Sequence, residues 1–211
     1  MNRILLNRLI HWPKPYITHT EIALLIDRSC DACDAIIRRA IETDYLQRLQ
    51  RGLYLITPKA GANKPDTREI AQLLYGPSYI SFESALSWHG WIPEGVRVLT
   101  SATTKRGKEI TTPIGTFAYE RIPTAAFSLG VCHIQAATES FLMADGWKAL
   151  ADLIYVRKCC WPDTHHISED LRIEPEDFID SNLELLKQLA DQYPSPRTRH
   201  YLNIYFRNLT T

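Results

Sequence analysis

Between residues 18 and 56 the apolar positions change period twice, and each change predicts an element. Ile22, Ala23, Leu24 and Leu25 follow Thr18 and Glu21, which stand three apart as a capping box and set the start of a short helix. Asp27-Arg28-Ser29 reads as a turn, with Ser29 placed to cap a second helix. Cys33, Ile36, Ile37, Ala40 and Ile41 then recur at spacings of three and four, the signature of one buried helical face over about residues 30–43. That face leaves Arg38 and Arg39 largely outside. From residue 46 to 56 the pattern turns to alternation around Arg51-Gly52, which predicts a β-hairpin with Gly52 at its tight position. Residues 1–10 read as an amphipathic first helix packed beneath this unit. The sum is a winged helix-turn-helix.

Residues 57–65 carry two prolines and a glycine, so a domain boundary is expected there: residues 1–62 and 63–211. Asp66 or Thr67 caps a helix with Ile70, Leu73, Leu74 and Tyr75 on one face, and Gly76-Pro77 ends it. A short extended piece at 79–82 leads into a helix to His89, stopped by Gly90. Strands are predicted at 96–103, 110–112, 114–122 and 131–135, with Lys105, Arg106 and Lys108 on a turn whose plain reading is a solvated hairpin tip. Helices are predicted at 136–143, 147–158, 182–193 and 197–209. The fold class is α+β: the winged helix-turn-helix, then a larger mixed domain with a small antiparallel sheet and C-terminal helices.

Charge sharpens the division. The chain is neutral overall, yet residues 1–62 hold nine Lys and Arg against six Asp and Glu, leaving the remainder acidic by the same margin. A modestly basic head suits nucleic acid, and so small an excess implies a specific site or a dimer rather than bulk attraction. There is no run of eighteen apolar residues and no signal peptide. Five cysteines without framework spacing point to a reduced, cytoplasmic setting.

A helix of this length fits a major groove, with a basic hairpin beside it reaching backbone or minor groove. The residues placed to do so are Arg38, Arg39, Arg48 and Arg51. Thr20 and Ser29 are placed for supporting backbone contacts, as Thr18 and His19 could be. Asp31 and Asp34 stand in the first turns of the reading helix. They serve the helix dipole, or accept from a cytosine amine, or mark a unit that binds protein instead.

Catalytic and metal motifs are weak. No G-x-S-x-G, P-loop or H-E-x-x-H occurs. Ser84 and His89 do not stand as nucleophile and base, while Glu139, Asp145 and Asp152 are a carboxylate set that could approach a metal. Cys30 and Cys33 lie one helical turn apart and read as core or helix-surface residues rather than a redox or metal pair. Cys159, Cys160, His165 and His166, with Asp163 between, could offer zinc ligands, but adjacent side chains diverge. No enzyme, metal or cofactor is assigned.

The stretch Tyr79-Ile-Ser-Phe-Glu-Ser-Ala-Leu-Ser-Trp-His-Gly-Trp-Ile-Pro-Glu94 resembles the signature of the AbiEi family. Leu49-Gln-Arg-Gly-Leu-Tyr54 is similar to that family's wing. Ser101-Ala-Thr-Thr-Lys-Arg106, Gly115-Thr-Phe-Ala-Tyr-Glu-Arg-Ile-Pro123 and Lys148-Ala-Leu-Ala-Asp-Leu-Ile-Tyr155 are similar to later family blocks in the same order. The chain departs before the last block: where the family has a proline-glutamate, Ala137-Thr-Glu-Ser140 precedes an extra Met143-Ala-Asp-Gly146. The resemblance implies the antitoxin half of a type IV toxin–antitoxin pair. Such a regulator represses its own operon through the N-terminal domain and counters a nucleotidyltransferase-like toxin through the rest. Double-stranded DNA of its own promoter, a cognate toxin and a second copy of the chain are the implied partners. The alternatives are a protein-binding module without DNA contact and a metal-dependent nuclease or sensor.

Overall fold

The computed structural model describes residues 3–27, 30–62, 65–93, 95–135, 140–158, 160–179 and 181–210. The chain mixes helices and sheets and divides into two compact units, Met1–Ile70 with Thr112–Ile114, and Ala71–Thr111 with Gly115–Thr211. The division expected after residue 62 therefore falls eight residues later. The Tyr16 hydroxyl, which donates to Glu69 at 2.7 Å, is one bond that ties the start of the next helix to the first unit.

The first unit runs α1 (Arg3–Ile10), β1 (Tyr16–Thr18), α2 (His19–Ile26), α3 (Cys30–Glu42), β2 (Leu46–Gln50) and β3 (Leu53–Ile56), and takes in the start of α4 (Thr67–Leu74). The capping box forms as expected: Glu21 N–H reaches Thr18 Oγ1, and Thr18 N–H donates to the Glu21 carboxylate at 2.7 Å. Asp27, in left-handed backbone, closes α2. The three strands order as β1-β3-β2, all antiparallel. Leu5, Ile17, Ile22, Cys33, Ile37 and Ile56 fill one core, so Cys33 is packing, as its spacing implied. The side chain of Cys30 lies outside the described residues.

In the second unit β4 (Ser78–Ile80) precedes α5 (Phe82–Trp88), β5 (Val98–Thr103), β6 (Lys108–Thr112), β7 (Gly115–Arg121), β8 (Val131–Gln135), β9 (Ser140–Ala144) and α6 (Gly146–Arg157). Helices α7 (Thr164–Leu171), α8 (Pro175–Ile179), α9 (Leu183–Gln192) and α10 (Pro196–Thr210) complete it. Two expectations are corrected. The sheet is neither small nor purely antiparallel: six strands order as β6-β7-β5-β4-β9-β8, with β5 parallel to β7 and β4 parallel to β9. The chain leaving β5 passes over one strand position to the edge, and β7 fills the slot on its return. The predicted helix over 136–143 is in its described part the strand β9, paired antiparallel with β8 from Val131↔Ala144 to Gln135↔Ser140. Its short apolar run suits either period, and pairing with β8 decides the matter.

The tightest polar feature of this unit is built by both periodicities. Tyr79 and Ser81, two apart along and just past β4, share a face, while Lys148 and Asp152 are one turn apart on α6. They meet with Tyr193 behind α9. Asp152 accepts from Lys148 at 2.6 Å, Tyr79 at 2.6 Å, Ser81 at 2.9 Å and Tyr193 at 3.0 Å. The Lys148 and Asp152 side chains are both fully buried. Burial pulls the Lys148 ammonium below the ordinary lysine range although Asp152 opposes it, and burial lifts the Tyr79 and Tyr193 phenols.

Two predictions follow from these packing arrangements. Removing one member of a buried pair strands the other charge, so Lys148→Met or Asp152→Ala should each cost ~3–5 kcal/mol in denaturant unfolding. The double variant Lys148→Met/Asp152→Leu should cost less than the two singles together; simple additivity would show that the pair is not coupled. The second concerns α7, which Asp163 caps by accepting from His166 N at 3.0 Å and from its Nδ1 at 2.7 Å. These bonds lower the Asp163 carboxyl and raise the His166 imidazole. The contribution is present between the two shifted values, lost as pH falls through that of Asp163 and as pH rises through that of His166. An NMR titration should place His166 above an ordinary histidine, and Asp163→Asn, which keeps a cap but no charge, should return it. An unmoved midpoint would refute the pairing.

Candidate functional site

A cleft of about 720 Å³ opens on the first unit, between α3 and the β2–β3 hairpin. Asp34, Arg38 and Ile41 reach it from one face of α3, at the spacing that stacks side chains on a helix. Ile37, 3% exposed, joins them as floor. Arg48, Arg51, Gly52 and Tyr54 come from the hairpin and His19 from the first residue of α2.

Arg48 and Arg51 stand three apart, and plain alternation would turn them to opposite faces. A bulge prevents that. Arg48 pairs with Tyr54 and Gln50 with Leu53, so Leu49 is an extra residue, and the shift returns both arginines to the cleft. Gly52, with φ of 81°, then turns the chain in backbone that other residues adopt only under strain.

Three arginines and one carboxylate line the cleft. The carboxylate is held: His19 Nε2 stands 3.0 Å from Asp34 Oδ1, and since an ionised carboxylate only accepts, Nε2 carries the proton. His19 is fixed in turn, because its backbone N–H donates to the Gly52 carbonyl at 2.9 Å. Burial holds the Tyr54 hydroxyl above the usual phenol range, with Arg48 drawing it down and Asp34 pushing it up.

Of the residues singled out from sequence, Arg38, Arg48 and Arg51 come together. Arg39 is exposed on α3 and Thr20 on α2, and neither lines the cleft. Ser29 and the side chain of Asp31 lie outside the described residues. Tyr54 and the floor residues Ile37 and Ile41 went unnoticed as site residues, since as hairpin and helix apolar positions they read only as core.

The remaining candidates have other partners. Ser84 Oγ accepts from Thr100 N–H at 2.8 Å, while His89 Nε2 donates to the Ala144 carbonyl at 2.8 Å. Asp145 caps α6 and Asp152 is taken up by its buried network, while Glu139 lies outside the described residues. Cys160 receives Arg197 at 3.2 Å and His166 holds Asp163; Cys159 lies outside the described residues. Among the described residues no group of three or more His, Cys, Asp or Glu is set to hold a metal. The basic turn of the second unit is drawn onto one ring, with the Lys105 and Lys108 ammoniums 5.4 and 5.5 Å from the centre of Tyr75. No described helix is long and apolar enough to cross a membrane.

No protein-family model matches the chain, and no curated protein matches it. Among solved structures, the RV2827C protein from Mycobacterium tuberculosis is similar in fold, with a TM-score of 0.55 over 96% of this chain and 80% of that one. The two are 16% identical, so the likeness concerns the fold alone.

The cleft depends on the hairpin turn. Gly52→Ala forces a side chain into left-handed backbone and should cost roughly 1–2 kcal/mol in denaturant unfolding of the first unit. No loss would show that the turn relaxes freely.

Proposed function

We propose that the first unit is a winged helix-turn-helix that binds duplex DNA, with α3 as reading helix and the β2–β3 hairpin as wing. The observation that carries this reading is the convergence of Arg38, Arg48 and Arg51 on one cleft between helix and hairpin. Helix α3, thirteen residues or about 20 Å long, is of a size to lie in a major groove, and the bulged hairpin presents two arginines at a neighbouring backbone. Guanidinium forks suit phosphate oxygens and guanine edges alike.

On this reading the chain is a transcriptional regulator. Its resemblance to the AbiEi family extends the proposal to an antitoxin, acting in the cytoplasm, repressing its own operon and countering a nucleotidyltransferase-like toxin through the second unit. A protein-contact role for the same cleft is the second reading, favoured by the Asp34 carboxylate among its arginines.

Binding to the DNA upstream of the chain's own gene, titrated with salt against scrambled competitor, tests the proposal. Site-specific binding that weakens with salt is expected. Arg48→Ala/Arg51→Ala should lower affinity across sequences and reduce the salt slope by about two, near one per lost phosphate contact. Arg39→Ala, outside the cleft, should have the smaller effect. No preference at low salt, or unchanged affinity in the double variant, would overturn the assignment.

A further inference from the structure

The cleft contains one group that does not fit phosphate binding. Asp34 is the fifth residue of α3, one turn before Arg38 on the same face, and its side chain is 67% exposed. A carboxylate repels phosphate oxygens, so no phosphate docks at that point. The structure also holds it in place. His19, whose side chain is only 23% exposed, grips Oδ1, and the His19 backbone is bonded to the Gly52 turn.

We propose that Asp34 reads one base of the DNA site by accepting from a cytosine amine, and that His19 is the positioning residue that aims it. The inference rests on the DNA-binding reading above. The base follows from the edges that the major groove displays. Guanine offers two acceptors and thymine one, all of which a carboxylate repels. Adenine sets its amine beside the N7 acceptor. Cytosine alone presents a donor with no acceptor of its own beside it. Asp34 stands in the first half of α3, where a reading helix meets base edges. Arg38, one turn on, is left for phosphate or guanine. His19 also couples the two halves of the interface, since one residue contacts both the wing turn and the reading helix.

The test is selection of binding sites from a randomised duplex library, run in parallel on the full-length chain and its variants. Wild type should prefer cytosine at one position by about tenfold. Asp34→Asn should replace that cytosine with adenine, whose N6 and N7 match an amide, and leave the other positions unchanged. His19→Ala should flatten the preference at that position alone, and His19→Gln, which keeps an N–H donor, should restore it. A selected site identical in wild type and Asp34→Asn would overturn this inference while leaving DNA binding intact. Loss spread evenly over all positions would overturn it as well, showing a merely structural role. Failure of wild type to enrich any duplex would overturn both the inference and the reading beneath it.

Discussion

A single strand-to-helix junction holds the first unit in register. Thr18 pairs with Leu53 as the last residue of β1 and caps α2 in the same backbone conformation. The next residue, His19, bonds by its backbone to the Gly52 turn and by its ring to Asp34 on α3. Within two residues the chain thus fixes a sheet edge, a helix start, the hairpin turn and the face of the long helix. The same junction supplies His19, Gly52 and Asp34 to the lining of the cleft.

The two units use charge in opposite ways. In the first, guanidinium groups stand at the surface, where an ion pair contributes only about 0–1 kcal/mol and the charge remains available to a ligand. In the second, one lysine and one aspartate are sealed inside with three hydroxyls, an arrangement that is costly to bury and costlier to break. The exposed set stays open to solvent and its ions, whereas the sealed set is shut away from both. The two sets therefore answer to salt differently, the open cleft strongly and the buried cluster hardly at all.

What the sequence made legible were features whose cause is local. The capping box at Thr18 and Glu21, the αL glycine at 52 and the apolar stripe from Cys33 to Ile41 each rest on residues a few positions apart. The bulge at Leu49 was legible only in part. Leucines at 46 and 49 break strict alternation, but whether the strand slips or bulges depends on what it pairs with. The pairing of β9 and the parallel placement of β7 lay further out of reach, because strand partners are chosen by tertiary contact and Phe141 to Ala144 satisfies either period. The same holds for the site: arginines declare themselves by type, whereas the grip of His19 on Asp34 spans fifteen residues and has no pattern to betray it.

The cluster around Asp152 also sets an order of events at the ribosome. Tyr79 and Ser81 emerge first, Lys148 and Asp152 some seventy residues later, and Tyr193 forty-one residues after Asp152. Until Tyr193 is available, helix α6 carries a carboxylate that the finished interior would leave one donor short. The sheet can pair meanwhile, but its inner layer cannot close dry. Helices α9 and α10, which pack on α6, are made last, so that side of α6 stays open until they arrive. Premature termination anywhere between α6 and Tyr193 would leave α6 without the two helices that pack on it and Asp152 without one of its four donors.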